Sequence, residues 1–432
     1  MVDNIDKSLD LGGKPELEIL KSDTEVEIDG QPIPTPEGID IEIDEQGGAI
    51  LDFDPMSSMP DEVEFYSNLA EVMDENECNR LADELLSELE NDRSSRKDWE
   101  DSYIKGLDLL GTKYDERTRP FQGASGVTHP LLAESATQFQ ATEYKELLPS
   151  SGPVRTVVMG EETPEKYSQA QRVQEFMNYQ ITNTMEDYTP EFDQMLFYLP
   201  LAGSTFKKVY YDELMDRAVS KFVPAEDLVV NYMASDLDSC ERITQIINMS
   251  YNDFRKKQVS GFYKDIEIIP AETEPTEVQK KYDDIEGVRP SYMDKSVKLY
   301  EFHVSLDLEG FEDKGTDGEV TGIKIPYIVT IEDSSSKVVG IRRNYEKGDE
   351  KKLKKKYFVH YKFLPGLGFY GLGLIHLIGS LSRTATQLLR QLIDAGTLAN
   401  LPAGFKSRGI RIRDDAEPLQ PGEFRDIDAP NG

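Results

Sequence analysis

From Val63 to Leu110 apolar residues recur at the three- and four-residue steps of a helix face. Leu81, Leu85, Leu86 and Leu89 mark one predicted helix, and Trp99, Tyr103, Leu107 and Leu110 continue the stripe on a second. The stretch ERTRPFQGASGVTHP, with Pro120, Gly123, Gly126 and Pro130, then interrupts regular structure. Leu131 to Leu148 reads as another helix, stopped by PSSGP. Thr163-Pro164 opens a further one, with proline in its first turn and Val173, Phe176, Met177 and Ile181 on one face. A shorter apolar helix is predicted from Phe192 to Ala202.

The period then changes to that of strands. STFKKVYYDE, AVSKFVP, LVVNY and ERITQIINMS are rich in β-branched and aromatic residues, and NDFRKKQ is a short helix. Residues 264–290 are acidic and read as a solvated loop. KLYEFHVSLDL, GIKIPYIVTIED and SKVVGIRRNY predict three antiparallel strands with turns between them. A strand from Tyr357 to Phe363 leads to one long helix, about Gly371 to Ala399, spanning roughly 40 Å at 1.5 Å per residue. The pattern defines an α+β chain.

On that helix Leu374, Leu377, Ile378, Leu381, Ala385, Leu388, Leu389, Leu392 and Ala395 form an apolar stripe. Ser382, Thr386, Gln387, Arg390 and Gln391 occupy the other face. Such a stripe is ordinarily core. No other segment offers an obvious helical partner, so a neighbouring copy of the chain is the alternative.

Charge sharpens the picture. The 432 residues carry a formal charge of -34, which argues against a protein that grips nucleic acid through a basic face. Residues 1–65 hold 19 Asp or Glu against 3 Lys, and this predicts a disordered acidic arm. The alternative for IDIEIDEQGGAILDFD is one short strand that orders on a partner. Cys78 and Cys240 match no metal or redox spacing. No secretory signal is predicted, and the most apolar run, Leu372 to Leu381, is too short for a membrane span.

Candidate chemistry is sparse. Gly366-x-Gly368-x-x-Gly371 matches a dinucleotide fingerprint after a strand and before a helix, but no second strand ending in an acid follows it. Asp394 has roughly the right spacing and falls inside the helix pattern. The glycines therefore read as sites of sharp turning and close backbone packing. His129, His303, His360 and His376 are scattered, and His303 reads as a structural residue in its strand. The run Lys351-Lys352-Leu353-Lys354-Lys355-Lys356 is a solvated turn or, alternatively, a phosphate-contacting loop. A second basic cluster, Lys406, Arg408, Arg411 and Arg413, alternates with Ile410 and Ile412. No catalytic, cofactor or metal constellation is recognisable.

The block HYKFLPGLGFYGLGLIHLIGSLSRTATQLLRQLIDAGTLANLPAGFKSRGIRIRDD resembles the portal proteins of short-tailed bacteriophages. FDQMLFYLPLAGSTFKKVYYD, FVPAEDLVVNY, ERITQIINMS, KLYEFHVSLDL and PYIVTIEDSSSKVVGIRRNY are similar to the same family, in the same order, over roughly residues 90–432. The resemblance implies a non-enzymatic, typically dodecameric ring at one capsid vertex. Double-stranded DNA passes through its channel. Partners would be the terminase large subunit, the major capsid or scaffolding protein, and a head-tail adaptor. The ring would assemble in the host cytoplasm and stay in the virion, without cofactor or membrane.

By position, the resemblance implies an arm (1–65), a wing domain (66–368), a stem helix (369–400) and the beginning of an incomplete clip domain (401–432). The family's second stem helix, channel loop and crown have no counterpart here. Leu374, Leu377, Ile378, Leu381, Leu388 and Leu392 become candidate stem-packing residues, and Lys406, Arg408, Arg411 and Arg413 candidate DNA or terminase contacts. Two other readings stand beside it. One is a metal-dependent enzyme acting on nucleic acid, which needs a carboxylate cluster; the other is a different head-tail connector component.

Overall fold

The computed structural model describes residues 64–400, apart from 112–113, 115, 213–214, 269–274, 288–295 and 315–318, and the backbone of four short strands outside that span. The chain divides into two units, residues 1–63 and 64–432. In the first, β1 (Asp40–Ile43) and β2 (Ala49–Asp52) pair antiparallel with Ile41 opposite Leu51. Where one strand was expected in the alternating segment, it supplies both strands of a short ladder. The rest of the predicted arm lies outside the described residues.

The second unit opens with α1 (Glu75–Leu107), capped by the Asp74 carboxylate on the Asn76 amide. Two helices were predicted, and the structure has one. The polar stretch from Asn91 to Asp98 contains no Gly or Pro, and its Asp92 and Arg96 are buried on the inward face that carries Leu85, Leu89, Trp99 and Tyr103. Arg96 continues the helix because both terminal nitrogens of its guanidinium are bonded. It donates to the carbonyls of Ala225 (2.7 Å), Glu226 (2.6 Å) and Leu228 (3.0 Å) and to the Tyr370 hydroxyl (3.0 Å).

Next come α2 (Leu131–Leu147), α3 (Pro164–Tyr179, ending in a π-turn over Gln180–Thr184) and α4 (Tyr188–Ala202). The strands β3 (Ser204–Asp212), β4 (Arg217–Pro224), β5 (Leu228–Val229) and β6 (Arg242–Ser250) follow, then α5 (Tyr251–Val259). Within the predicted loop 264–290 the structure has a helix, α6 (Glu277–Glu286). Thr276 caps its start, Gly287 ends it in the left-handed conformation, and Val278 is fully buried. Val278, Tyr282 and Ile285 recur at steps of four and three and pack on the core, a helical period that the acidic composition of the segment had masked.

The order closes with β7 (Ser296–Leu306), β8 (Ile325–Glu332), β9 (Val338–Arg343), β10 (Phe358–Lys362), α7 (Leu374–Asn400), β11 (Arg411–Ile412) and β12 (Ile427–Asp428). The strands β5-β6-β7-β8-β9 form one antiparallel sheet in that order. A second sheet has the order β10-β3-β4, so β10 reaches back across the chain to pair Lys362 with Ser204.

The five-stranded sheet buries Val297, Leu299, Val329, Ile331 and Ile341, and Phe254 of α5 lies against one face. A second cluster joins α1, α2, the small sheet and the start of α7. It contains Trp99, Tyr103, Leu132, Phe206, Phe369, Tyr370 and Ile375. Trp99 stacks on both Tyr370 (4.5 Å between ring centres) and Tyr103 (5.8 Å).

Candidate functional site

The glycine fingerprint is a backbone clamp. A Cβ on Gly371 would overlap the Gly203 carbonyl oxygen, one on Gly373 the Leu201 carbonyl oxygen, and one on Gly366 the Tyr370 carbonyl oxygen. Gly203 itself has φ of 84°, where it ends α4 and starts β3. The Gly371 amide donates to Ser204 Oγ (2.7 Å), and the Gly373 amide to His376 Nδ1 (3.1 Å). These contacts fix where α7 leaves the body.

Only the first turn of α7 enters the core, through Ile375 with Leu374 and Ile378 packed beside it. Beyond it the docked face is made of small and polar residues: Gly379, Ser382, Thr386 and Asp394 are buried. They hold an extended strap, residues 117–130. Asp394 Oδ1 accepts from the Ser125 amide (2.6 Å), and Thr386 Oγ1 accepts from the His129 amide (3.0 Å). Arg390 donates to the Val127 carbonyl (2.7 Å), the Gly126 carbonyl (3.2 Å) and Thr128 Oγ1 (3.0 Å). Arg117 lies 3.9 Å from Asp394 Oδ2 and donates to the Ser125 carbonyl (3.1 Å), tying the strap to itself.

The leucine stripe therefore points away from the body. Leu377 is 46%, Leu381 60%, Leu388 62% and Leu392 71% exposed. Of the six candidate stem residues, Leu374 and Ile378 touch the core and these four do not. At 100° per residue the four lie on the far side from Ile375, Gly379, Ser382 and Thr386.

The same inversion occurs in α3, which buries none of its side chains. Its Asn178 amide group brackets Val154, accepting from the backbone amide (2.9 Å) and donating to the carbonyl (3.1 Å). Gln174 accepts from the Thr156 amide (3.1 Å), and Thr156 Oγ1 donates to the Ala170 carbonyl (3.0 Å). Val173, Phe176, Met177 and Tyr179 are left exposed. Sequence reasoning missed both polar faces as docking surfaces. The available signal was the four-residue spacing of Ser382, Thr386, Arg390 and Asp394 within an otherwise apolar helix.

The other candidates are dispersed. His303 Nε2 lies 2.7 Å from Glu301 Oε1, which also accepts from Lys208 Nζ (2.6 Å), so it is a bonded residue of the sheet. His360 stacks against both Phe206 and Phe369, and burial pushes its pKa down to about 3. In the basic run, Lys352 pairs with Asp313, Lys355 with Glu346 (2.9 Å) and Lys356 with Asp238 (2.6 Å), while Lys354 donates to the Leu237 carbonyl (2.8 Å). Those four lysines are held by intrachain acceptors. Lys406, Arg408 and Arg413 lie outside the described residues, and Arg411 is described only as backbone of β11.

A cavity of about 340 Å³ lies between α4, the β4–β5 corner and α6, lined by Glu191, Tyr198, Glu226, Asp227, Tyr282 and Glu286 among others. Tyr282 donates to Glu226 Oε1 (2.8 Å). Burial, then the charge of Asp227, pushes the Glu226 pKa up to about 7, and burial pushes that of Asp227 up to about 6. Among the described residues no three His, Cys, Asp or Glu side chains are grouped to hold a metal ion, and no helix is long and apolar enough to cross a membrane.

No protein-family model matches the chain, and no curated protein matches it.

Proposed function

We propose that this chain is the subunit of a portal ring, a conduit for double-stranded DNA at one vertex of a bacteriophage capsid. The observation that carries the reading is the outward leucine ridge of α7. A helix whose small and polar face is bonded to its own chain, and whose apolar face is left in water, needs a neighbour to cover about two turns of exposed leucine on either side of Ala385. Rings of identical subunits supply such neighbours through head-to-tail contacts. The resemblance over residues 90–432 supplies the kind of ring.

The net charge of -34 supports the conduit. A wall that repels the phosphate backbone keeps DNA moving, where an attractive one would hold it. The ring acts as a passage and a docking platform for terminase and adaptor rather than as a catalyst. Arm, wing, stem and clip are its proposed parts, with α7 as the stem. Native mass spectrometry and electron microscopy of the purified chain test the reading. Closed rings of ten or more copies, on the order expected for this family, support it; a population of monomers at all concentrations would overturn it.

A further inference from the structure

We propose that the ridge of α7 is covered by α3 of a second copy of this chain, a head-to-tail contact between two different helices. This rests on the ring reading and gives it a specific interface. The ridge residues Leu381, Ala385, Leu388, Leu392 and Ala395 are separated by alternating steps of four and three. That is a heptad seam, and its complement is another helix crossing at a shallow angle of about 20°. Among the described helices α3 has the matching property. It buries no side chain, it is bonded to its own strap through Gln174 and Asn178, and it exposes Val173, Phe176 and Met177. It is 16 residues long, the same length as the exposed ridge from Leu377 to Leu392.

Charge selects the same pairing. Two copies of a chain bearing -34 repel unless they meet where carboxylates are absent from at least one side. The ionisable side chains of α7, besides His376, are Arg383, Arg390 and Asp394. Arg390 and Asp394 are bonded to the strap, so the helix turns Arg383 and no carboxylate to solvent. Residues 161–179 bring Glu161, Glu162, Glu165 and Glu175 against Lys166 and Arg172. The acid-bearing helix thus meets an acid-free one. The other pairing, α7 on α7, is self-complementary. It closes as a dimer and uses up the ridge, leaving no second face to extend a ring.

Two single-cysteine chains test this, Phe176→Cys and Leu388→Cys, each with Cys78→Ala and Cys240→Ser. Both sites are exposed, and circular dichroism checks that each variant folds. The chains are mixed, dissociated in mild urea, reassembled and treated with a short bismaleimide. Because pairing raises the local concentration of the two thiols into the millimolar range, the mixture should give cross-linked dimer roughly tenfold above either variant alone. Dimer from Leu388→Cys alone at the level of the mixture would overturn the proposal in favour of α7 against α7. Rings by native mass spectrometry with no cross-link above background would overturn it while leaving the ring reading in place. Monomers throughout would remove both.

Discussion

The five-stranded sheet and the pair of helices α3 and α7 are built by opposite rules. In the sheet apolar residues go inward: Phe302, Val329 and Ile331 are fully buried, and the polar groups that enter with them, such as Glu301 and His303, bond each other and Lys208. In the two helices polar residues go inward and apolar ones outward. Asp394, Thr386, Gln174 and Asn178 bond extended segments of the same chain, while Leu388 and Phe176 face water. A hydrogen bond adds only about 1 kcal/mol net, so polar pegs position a helix without much stabilising it. The difference separates what holds the chain together from the surface that, on the proposed ring reading, meets a neighbour.

The largest effect belongs to the sheet. Phe302→Ala empties a fully buried ring site, and denaturant unfolding should show a loss of about 3–5 kcal/mol. A loss below about 1 kcal/mol would break the comparison by showing that the sheet is no firmer than the helices. Slightly smaller is the clamp between the two regions. Gly371→Ala forces a methyl group against the Gly203 carbonyl, and we predict a loss on the order of 3 kcal/mol with disturbed α7 docking, read by thermal unfolding.

Next comes the corner where β4 meets β5. Glu226 and Asp227 are carboxyls whose folded pKa values, about 7 and about 6, lie above the ordinary 4.5 and 3.8. Between those limits the folded protein holds protons that the unfolded chain has released, so this corner contributes fully below about pH 4 and the contribution is lost as pH rises through about 6 to 7. Glu226→Gln removes the larger share. The variant should gain on the order of 2 kcal/mol relative to the parent at pH 8 and little at pH 4.5, measured by chemical unfolding at both. An equal difference at the two pH values would refute it.

The smallest effects sharpen the comparison at the helix itself. Asp394→Ala leaves the buried Ser125 amide without its acceptor and should cost about 1–2 kcal/mol, with faster hydrogen exchange at Ser125. Leu388→Gln, at an exposed site, should change subunit stability by less than about 0.5 kcal/mol yet weaken assembly in sedimentation experiments. If Leu388→Gln destabilises the isolated subunit as much as Asp394→Ala, the ridge is part of the subunit's own core and the inversion is wrong.

Element type was largely legible along the chain. Periods of two and of three to four residues located most of the strands and α2, α3, α4 and α7, because each reports that the two faces of a continuous segment differ. The helix α6 was not, since its short period of Val278, Tyr282 and Ile285 lies within an acidic stretch that reads as a solvated loop. The unbroken α1 was not either, because Asp92 and Arg96 break the apolar pattern while a distant loop and Tyr370 satisfy them.

The sequence alone determined that α7 is an amphipathic helix, that its stripe lacks an evident partner, and that glycines precede it. Amphipathicity states that two faces differ. It does not state which one the chain will use, since that depends on what lies opposite after folding. Only the tertiary structure decided it, by bringing the strap from Arg117 to Pro130 against Ser382, Thr386, Arg390 and Asp394 through contacts more than 250 residues apart, as between Ser125 and Asp394. Backbone groups of an extended strap need hydrogen-bond partners. The polar face can supply them and leucines cannot, so the polar face turned in and the apolar one was left outside.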